Sequence, residues 1–327
     1  MYRRNALRVI AAAATAVCVG LTPTAGLAQD FPSQPVRILV GFSAGSSTDV
    51  ATRLVAEAMS ESLGQRVIVE NRPGAASNVA TQAVAVAKPD GYTLLMGTVA
   101  NTINTALDRS VDFKFPSDFA PVSTVGAVPM ILVVHPDVAV ESVEKLVDMA
   151  KGASEPMLYG SAGVGTAPHL SAELFASSTG IEITHVPYQG SGDAVRDLVD
   201  GRINLLFAPQ SSALAQIQEG NLRPLASSLK ARSGKLPEVP TLDETVVPGF
   251  DTSVWFGLFA PSETPKEVLA KLNGAVAAAL QSDTVKQGFA NSGIEPLGGT
   301  AQDLSDYVAR EVESWTKVAA DAEITVN

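Results

Sequence analysis

The chain has 327 residues, 23 Lys or Arg against 34 Asp or Glu, and a formal net charge of −11. So acidic a chain is a poor binder of nucleic acid or of an anionic membrane. A single cysteine, Cys18, excludes an internal disulfide, and three scattered histidines have no metal-ligand spacing, so neither metal nor cofactor is expected.

The first stretch reads as a leader to be removed before any fold is considered. Arg3, Arg4 and Arg8 form a basic head, Val9 to Leu21 is almost wholly apolar, and Gly26-Leu27-Ala28 supplies small residues at a cut. That is the pattern of a secretory signal peptide, and the apolar run is too short to span a bilayer. Cleavage is expected after Ala28, with residence in the periplasm. Cys18 lies within the apolar run, and branched Val17 stands where lipidation wants a small residue. Cleavage removes three arginines and no acid, leaving 299 residues, 20 basic and 34 acidic, or −14. At about 150 residues per domain that is room for two domains.

Short apolar runs then alternate with helical spacing. Residues 36–42 (VRILVGF) form an expected buried strand, and 48–63 carry apolar residues at the spacing of a helix. Residues 66–70 are strand-like, 71–74 a turn, 78–87 a helix and 92–97 (YTLLMG) a strand. This βαβαβ order implies a mostly parallel sheet. The pattern restarts with strands at 130–135, 157–160, 184–188, 203–208 and 222–227, and helices at 142–151, 166–178, 193–200 and 211–219. After a proline-rich stretch at 230–251 come a strand at 254–260 and helices at 265–282, 283–292 and 300–320. The fold class is therefore α/β with two sheets. Residues 119–135 and 250–260 are expected to cross between lobes, which assigns 29–125 with 253–327 to one lobe and 126–252 to the other. Trp255, Phe256 and Trp315 read as core, and Asp303, Asp306, Glu311 and Glu313 as a solvated helix face.

The most informative feature is an internal match. Residues 43–48 read Ser-Ala-Gly-Ser-Ser-Thr and residues 161–166 read Ser-Ala-Gly-Val-Gly-Thr. Each copy follows a strand and opens a helix. The first helical turn carries unpaired N–H groups and partial positive charge, glycine admits a ligand to the backbone, and hydroxyls add donors. In open α/β sheets such loops lie at the carboxyl ends of strands, where ligands bind. Two of them facing each other would clamp a carboxylate. Ser43, Ala44, Gly45, Ser46, Ser47, Thr48 and Asp49 are expected on one wall. Ser161, Ala162, Gly163, Thr166 and His169 are expected on the other, with Thr98 and Asn101 nearby. Asp49 is expected to cap or orient, because its charge would repel an anionic ligand.

An enzyme reading competes. Gly41-Phe42-Ser43-Ala44-Gly45 fits G-x-S-x-G, the nucleophile elbow of α/β-hydrolases, which would need His135, His169 or His185 as base. Against it, the elbow follows the first strand after the leader, with no oxyanion-loop motif before it. A dinucleotide or phosphate loop is excluded, because 160–165 lacks the glycine spacing and no Lys precedes Thr166.

Several segments together resemble the substrate-binding proteins of tripartite tricarboxylate transporters, the Bordetella-uptake-gene (Bug) family. They are residues 31–35 (FPSQP), Thr48-Asp49, 70–75 (ENRPGA), 89–94 (PDGYTL), 159–163 (YGSAG), 168–170 (PHL), 185–188 (HVPY), 257–261 (GLFAP) and 298–300 (GGT). The resemblance implies a type II periplasmic binding protein, two α/β lobes and a hinge. It implies an organic acid as ligand, an integral membrane permease as partner, no catalysis and a monomer. Ligand sensing without transport stays open on the residues alone. The first loop departs from the family: Ala44 and Ser46-Ser47 replace proline and Gly-Gly, Gly41 replaces a common proline, and Ser77 stands where glycine is common.

Overall fold

A computed structural model describes residues 31–107 and 111–321, with side chains to Lys317. The expected leader and Cys18 lie outside the described residues. Chain order begins with β1 (Val36–Val40), α1 (Ser47–Leu63), β2 (Val67–Asn71), α2 (Asn78–Ala85), β3 (Thr93–Thr98), α3 (Val99–Ala106) and β4 (Phe119–Val134). Next come α4 (Val143–Gly152), β5 (Met157–Ser161), α5 (Ala167–Thr179), β6 (Ile183–Pro187), α6 (Ser191–Val199), β7 (Leu205–Pro209), α7 (Gln210–Gln218) and β8 (Arg223–Ser227). The chain closes with β9 (Ser253–Pro261), α8 (Lys266–Gln281), α9 (Asp283–Ser292), β10 (Glu295–Pro296) and α10 (Ala301–Asp321).

The strands lie in the order β2-β1-β3-β9-β4-β7-β5-β6, with β8 and β10 also paired to β4. β1 runs parallel to β2 and β3, and β5 runs parallel to β6 and β7. These strands read as unbroken apolar runs because helices cover both faces of a parallel sheet. Ile38, Leu39, Leu94, Leu95 and Met96 are fully enclosed with Val55 and Met59 of α1. In the other half, Ile131, Val133, Leu206 and Ala208 pack with Ala194, Leu198, Ala213 and Leu214 of α6 and α7.

β4 joins the two halves. Phe119–Pro129 pairs antiparallel with β9, and Met130–Val134 pairs with β7 and β8. The sixteen residues of this strand reach about 50 Å at ~3.3 Å per residue, enough to run through both sheets. The return passage is short. Thr252 N donates to Ser228 O at 2.9 Å in the second half, and the next residue, Ser253, already pairs with Pro129.

Two elements depart from the sequence expectation. The sequence pattern assigns no element to α3, whose Val, Asn, Thr and Ile content is poor in intrinsic helix formers. A capping box starts it: Thr98 N donates to Asn101 Oδ1 at 2.9 Å and Ala100 N to Thr98 Oγ1 at 3.2 Å. Burial of every residue from Val99 to Asn104 then outweighs weak propensity. The second departure is Glu311, expected on a solvated face. Trp255 Nε1 and Trp315 Nε1 both donate to its Oε2, at 3.0 and 3.2 Å. Burial pushes its carboxyl above the usual range. Both indoles are buried, as expected, but their N–H groups need an acceptor there.

Candidate functional site

The first Ser-Ala-Gly loop is pinned by a buried carboxylate. Ser46 caps α1 with extended backbone, its Oγ accepting from Asp49 N at 3.3 Å. Asp49, only 3% exposed, accepts from Gly45 N at 2.9 Å, Arg53 Nε at 3.0 Å and Asn71 Nδ2 at 2.8 Å. Burial alone would raise this carboxyl, but the bonds from Arg53, Gly45 and Asn71 outweigh it and hold it below the usual range. The charge is thus spent inside the protein, on the shape of the loop.

The second loop rests on histidines. Ser161 is fully buried; its Oγ is hydrogen-bonded to His185 Nε2 at 2.6 Å and accepts from Gly163 N at 3.0 Å. Thr166, the cap of α5, donates from Oγ1 to Gly163 O at 2.7 Å. Gly165 N donates to His169 Nδ1 at 3.2 Å. His185 lies between Tyr159 and His169, with ring centroids 4.8 and 4.3 Å away, and Tyr159 Oη donates to Glu173. Burial pushes His185 down to about 4, so it is neutral at pH 7.

Both loops open onto one narrow cavity of about 20 Å³. Its walls are Ser46, Ser47 and Thr48 of α1, Thr98, Val99 and Ala100 of α3, Thr166, Ala167 and Pro168 of α5, Ser191 of α6, and Pro209 at the start of α7, closed by Phe42, Ala162 and Val254. Five helices therefore present their first turns to the same small volume. Each contributes partial positive charge from its first-turn N–H groups, and six hydroxyls line the space, of which Thr166 already donates to Gly163 O. No Lys, Arg, His, Asp or Glu lines the cavity. What such a site offers an anion is dipoles and hydroxyls alone. Phe42 and Ala162 are shared with an outer recess of about 250 Å³, where Gly163 also lies.

Of the residues expected at the site, Ser46, Ser47, Thr48, Thr98, Ala162 and Thr166 line the inner cavity. Ser43, Ala44 and Gly45 lie on the seam between the halves. Ser43 Oγ donates to Asp193 Oδ2 at 3.0 Å and Ser43 N to Gln189 O at 3.3 Å. Asp49, Ser161 and His169 stand behind the loops they support, and Asn101 donates to Thr81 Oγ1 at 2.8 Å behind α3. Ser191, Pro209 and the apolar residues of the wall were not singled out from sequence. Ser191 and Pro209 follow the same rule as the two loops, a strand giving way to a helix, but lack the Ser-Ala-Gly signature. The elbow serine of the hydrolase reading faces an aspartate, while His185 is engaged by Ser161.

The family model of the tripartite tricarboxylate transporter family receptor matches residues 51–324. The chain belongs to this receptor family, which includes the Bug proteins. BugT of Bordetella pertussis is 36% identical over 91% of this chain and 94% of its own. A structure from R. palustris with adipate is 38% identical, with a TM-score of 0.87 over 90% of this chain and 99% of its own. MatC from Rhodopseudomonas palustris with bound malate is 29% identical, with a TM-score of 0.85 over 88% of this chain and 99% of its own. The fold is that of the type II periplasmic binding proteins, two α/β lobes with the cavity between them. The family is one of binding proteins, not enzymes. Among the described residues, no helix is long and apolar enough to cross a membrane, and no cluster of His, Cys, Asp or Glu could hold a metal ion.

Proposed function

We propose that this protein captures a small organic carboxylate between its two Ser-Ala-Gly loops and delivers it to the integral membrane subunits of a tripartite-type transporter. The observation that carries the reading is the convergence of five helix N-termini on a volume with no charged side chain. A carboxylate there would accept from first-turn N–H groups and from Ser46, Ser47, Thr48, Thr98 and Ser191, while Thr166 braces the second loop through Gly163 O. Asp49, Asn101, Ser161 and His169 would hold the walls in place. Ser43, Ala44, Gly45, Ala162 and Gly163 would form the closing edge. The adipate and malate of the two R. palustris structures are both carboxylates, which supports the class.

The protein acts in the periplasm once its leader is cut after Ala28. Lobe 1 is 29–125 with 253–327, lobe 2 is 126–252, and the two rock about the passages at β4 and at residues 252–253 to admit and enclose the ligand. A thermal-shift screen of the secreted protein against organic acids tests this. A ligand at 100 times its dissociation constant adds about 2.7 kcal/mol. Thr48→Val and Thr166→Val are expected to weaken the hit about tenfold each. Stabilisation by sugars or cations only would overturn the carboxylate reading.

A further inference from the structure

The first turn of α7 carries three buried polar atoms side by side. Gln210, Ser211 and Ser212 form this turn, directly after Pro209 in the wall of the inner cavity. Gln210 Oε1, Ser211 Oγ and Ser212 Oγ have no hydrogen-bond partner among the described residues. Gln210 is only 1% exposed. The turn belongs to the second half of the molecule, yet α7 packs against α1 and α9 of the first. Gln210 is seated at Gly293, the left-handed cap of α9 at φ 65°. A Cβ on Gly293 would run into the Gln210 amide, 2.9 Å from its Cδ. The glycine thus turns the chain and also makes room for a side chain from the opposite half.

We infer that Gln210 is a counter-latch: closing the halves drives its amide into a dry seat beside α9, and the unpaired polar atoms there favour reopening unless a ligand holds the cleft shut. The inference rests on capture of an acid between the two halves. In the arrangement described, the halves leave only about 20 Å³ at the inner cavity, so they are closed on each other. A buried polar group without a partner costs more than an ordinary hydrogen bond contributes, and water can pair the same group once the halves part. The bond from Ser43 to Asp193 across the seam favours closure. Gln210 opposes it. A protein that is mostly open when empty binds with an apparent affinity lowered by its closed fraction. That penalty keeps the empty protein from adopting the loaded shape, and only a ligand touching both walls offsets it.

Small-angle X-ray scattering and titration calorimetry on the secreted protein test this, with adipate and malate as probes. Gln210→Met keeps the length of the side chain and removes its polar atoms. Ligand-free Gln210→Met is expected to be more compact than ligand-free wild type, and to bind the acids about tenfold tighter. Ser211→Ala and Ser212→Ala should act in the same direction. Gly293→Ala fills the seat and should weaken binding about tenfold, and Gln210→Ala added to it should restore the wild-type affinity. Equal scattering of wild type and Gln210→Met, weaker binding by Gln210→Met, or wild-type binding by Gly293→Ala would each overturn the counter-latch. Compaction of Gln210→Met with neither acid bound by any variant would overturn the carboxylate reading and leave the counter-latch standing.

Discussion

Ser43 Oγ donates a 3.0 Å hydrogen bond to Asp193 Oδ2, across 150 residues of sequence and across the seam between the two halves. Glycines make the approach possible. A Cβ on Gly190 would lie 2.3 Å from Ser43 Oγ, and one on Gly192 would meet Gly45 O at 3.4 Å. A hydrogen bond to a charged acceptor contributes about 1.5–3 kcal/mol. Ser43→Ala and Asp193→Asn are therefore expected to weaken ligand affinity about three- to tenfold. Gly190→Ala, which keeps both partners but blocks their approach, should do the same. Titration calorimetry checks all three, and unchanged affinity in the set would show that the seam does not contribute to closure.

Asp49 is expected to be the most costly single change in the first loop. Asp49→Asn keeps the shape but loses acceptors for Gly45 N, Arg53 and Asn71. Leaving such groups unpaired costs about 1–3 kcal/mol. The pH dependence follows from the direction of its shift. The folded carboxyl titrates below the ordinary value of about 3.9, so the unfolded chain binds the proton first as pH falls. The stabilisation is present above pH ~4 and is lost below it. Urea midpoints of wild type and Asp49→Asn between pH 3 and pH 7 should converge at the acid end.

His185 gives a second, separate window. The folded imidazole titrates near 4, against about 6.5 when unfolded. Between those values the unfolded state carries more protons, so stability falls as pH drops from about 6.5 toward 4. The groups facing it are Tyr159, His169 and Ser161. His185→Gln, which can still bond Ser161, should flatten the stability profile between pH 4.5 and 6.5 in denaturant titrations. A profile as steep as wild type would assign the dependence elsewhere.

Gly41 and Ser77 touch. A Cβ on Gly41 would lie 2.1 Å from Ser77 Oγ and 2.5 Å from Ser77 Cα. Ser77 caps α2 at φ 75° with its hydroxyl buried and without a hydrogen-bond partner. Left-handed backbone costs a non-glycine residue about 1–2 kcal/mol. Ser77→Gly is therefore expected to raise the melting temperature by ~2 °C. Gly41→Ala should lower it, and Ser77→Gly should rescue that loss only in part, because the backbone of residue 77 is itself in the way. Full rescue would show that the hydroxyl alone sets the contact.

Much of the fold was legible because its signals are local. Apolar runs marked both parallel sheets, and the repeated Ser-Ala-Gly loops marked two helix starts that do meet at one cavity. Asp49 accepts from Gly45 N, a bond within one short stretch of sequence. What the sequence could not carry is strand order. The placement of β9 between β3 and β4, and of β7 beside β4, brings α3, α6 and α7 to the same volume as the two loops. No residue pattern in 99–106 predicted a helix, because burial and not propensity holds it. Sequence alone determined two helix starts, an acidic chain and the family. Tertiary structure decided that five helix starts converge, that Ser43 reaches Asp193, and that Glu311 is shared by two indoles, because each depends on contacts between segments that only long-range packing brings together.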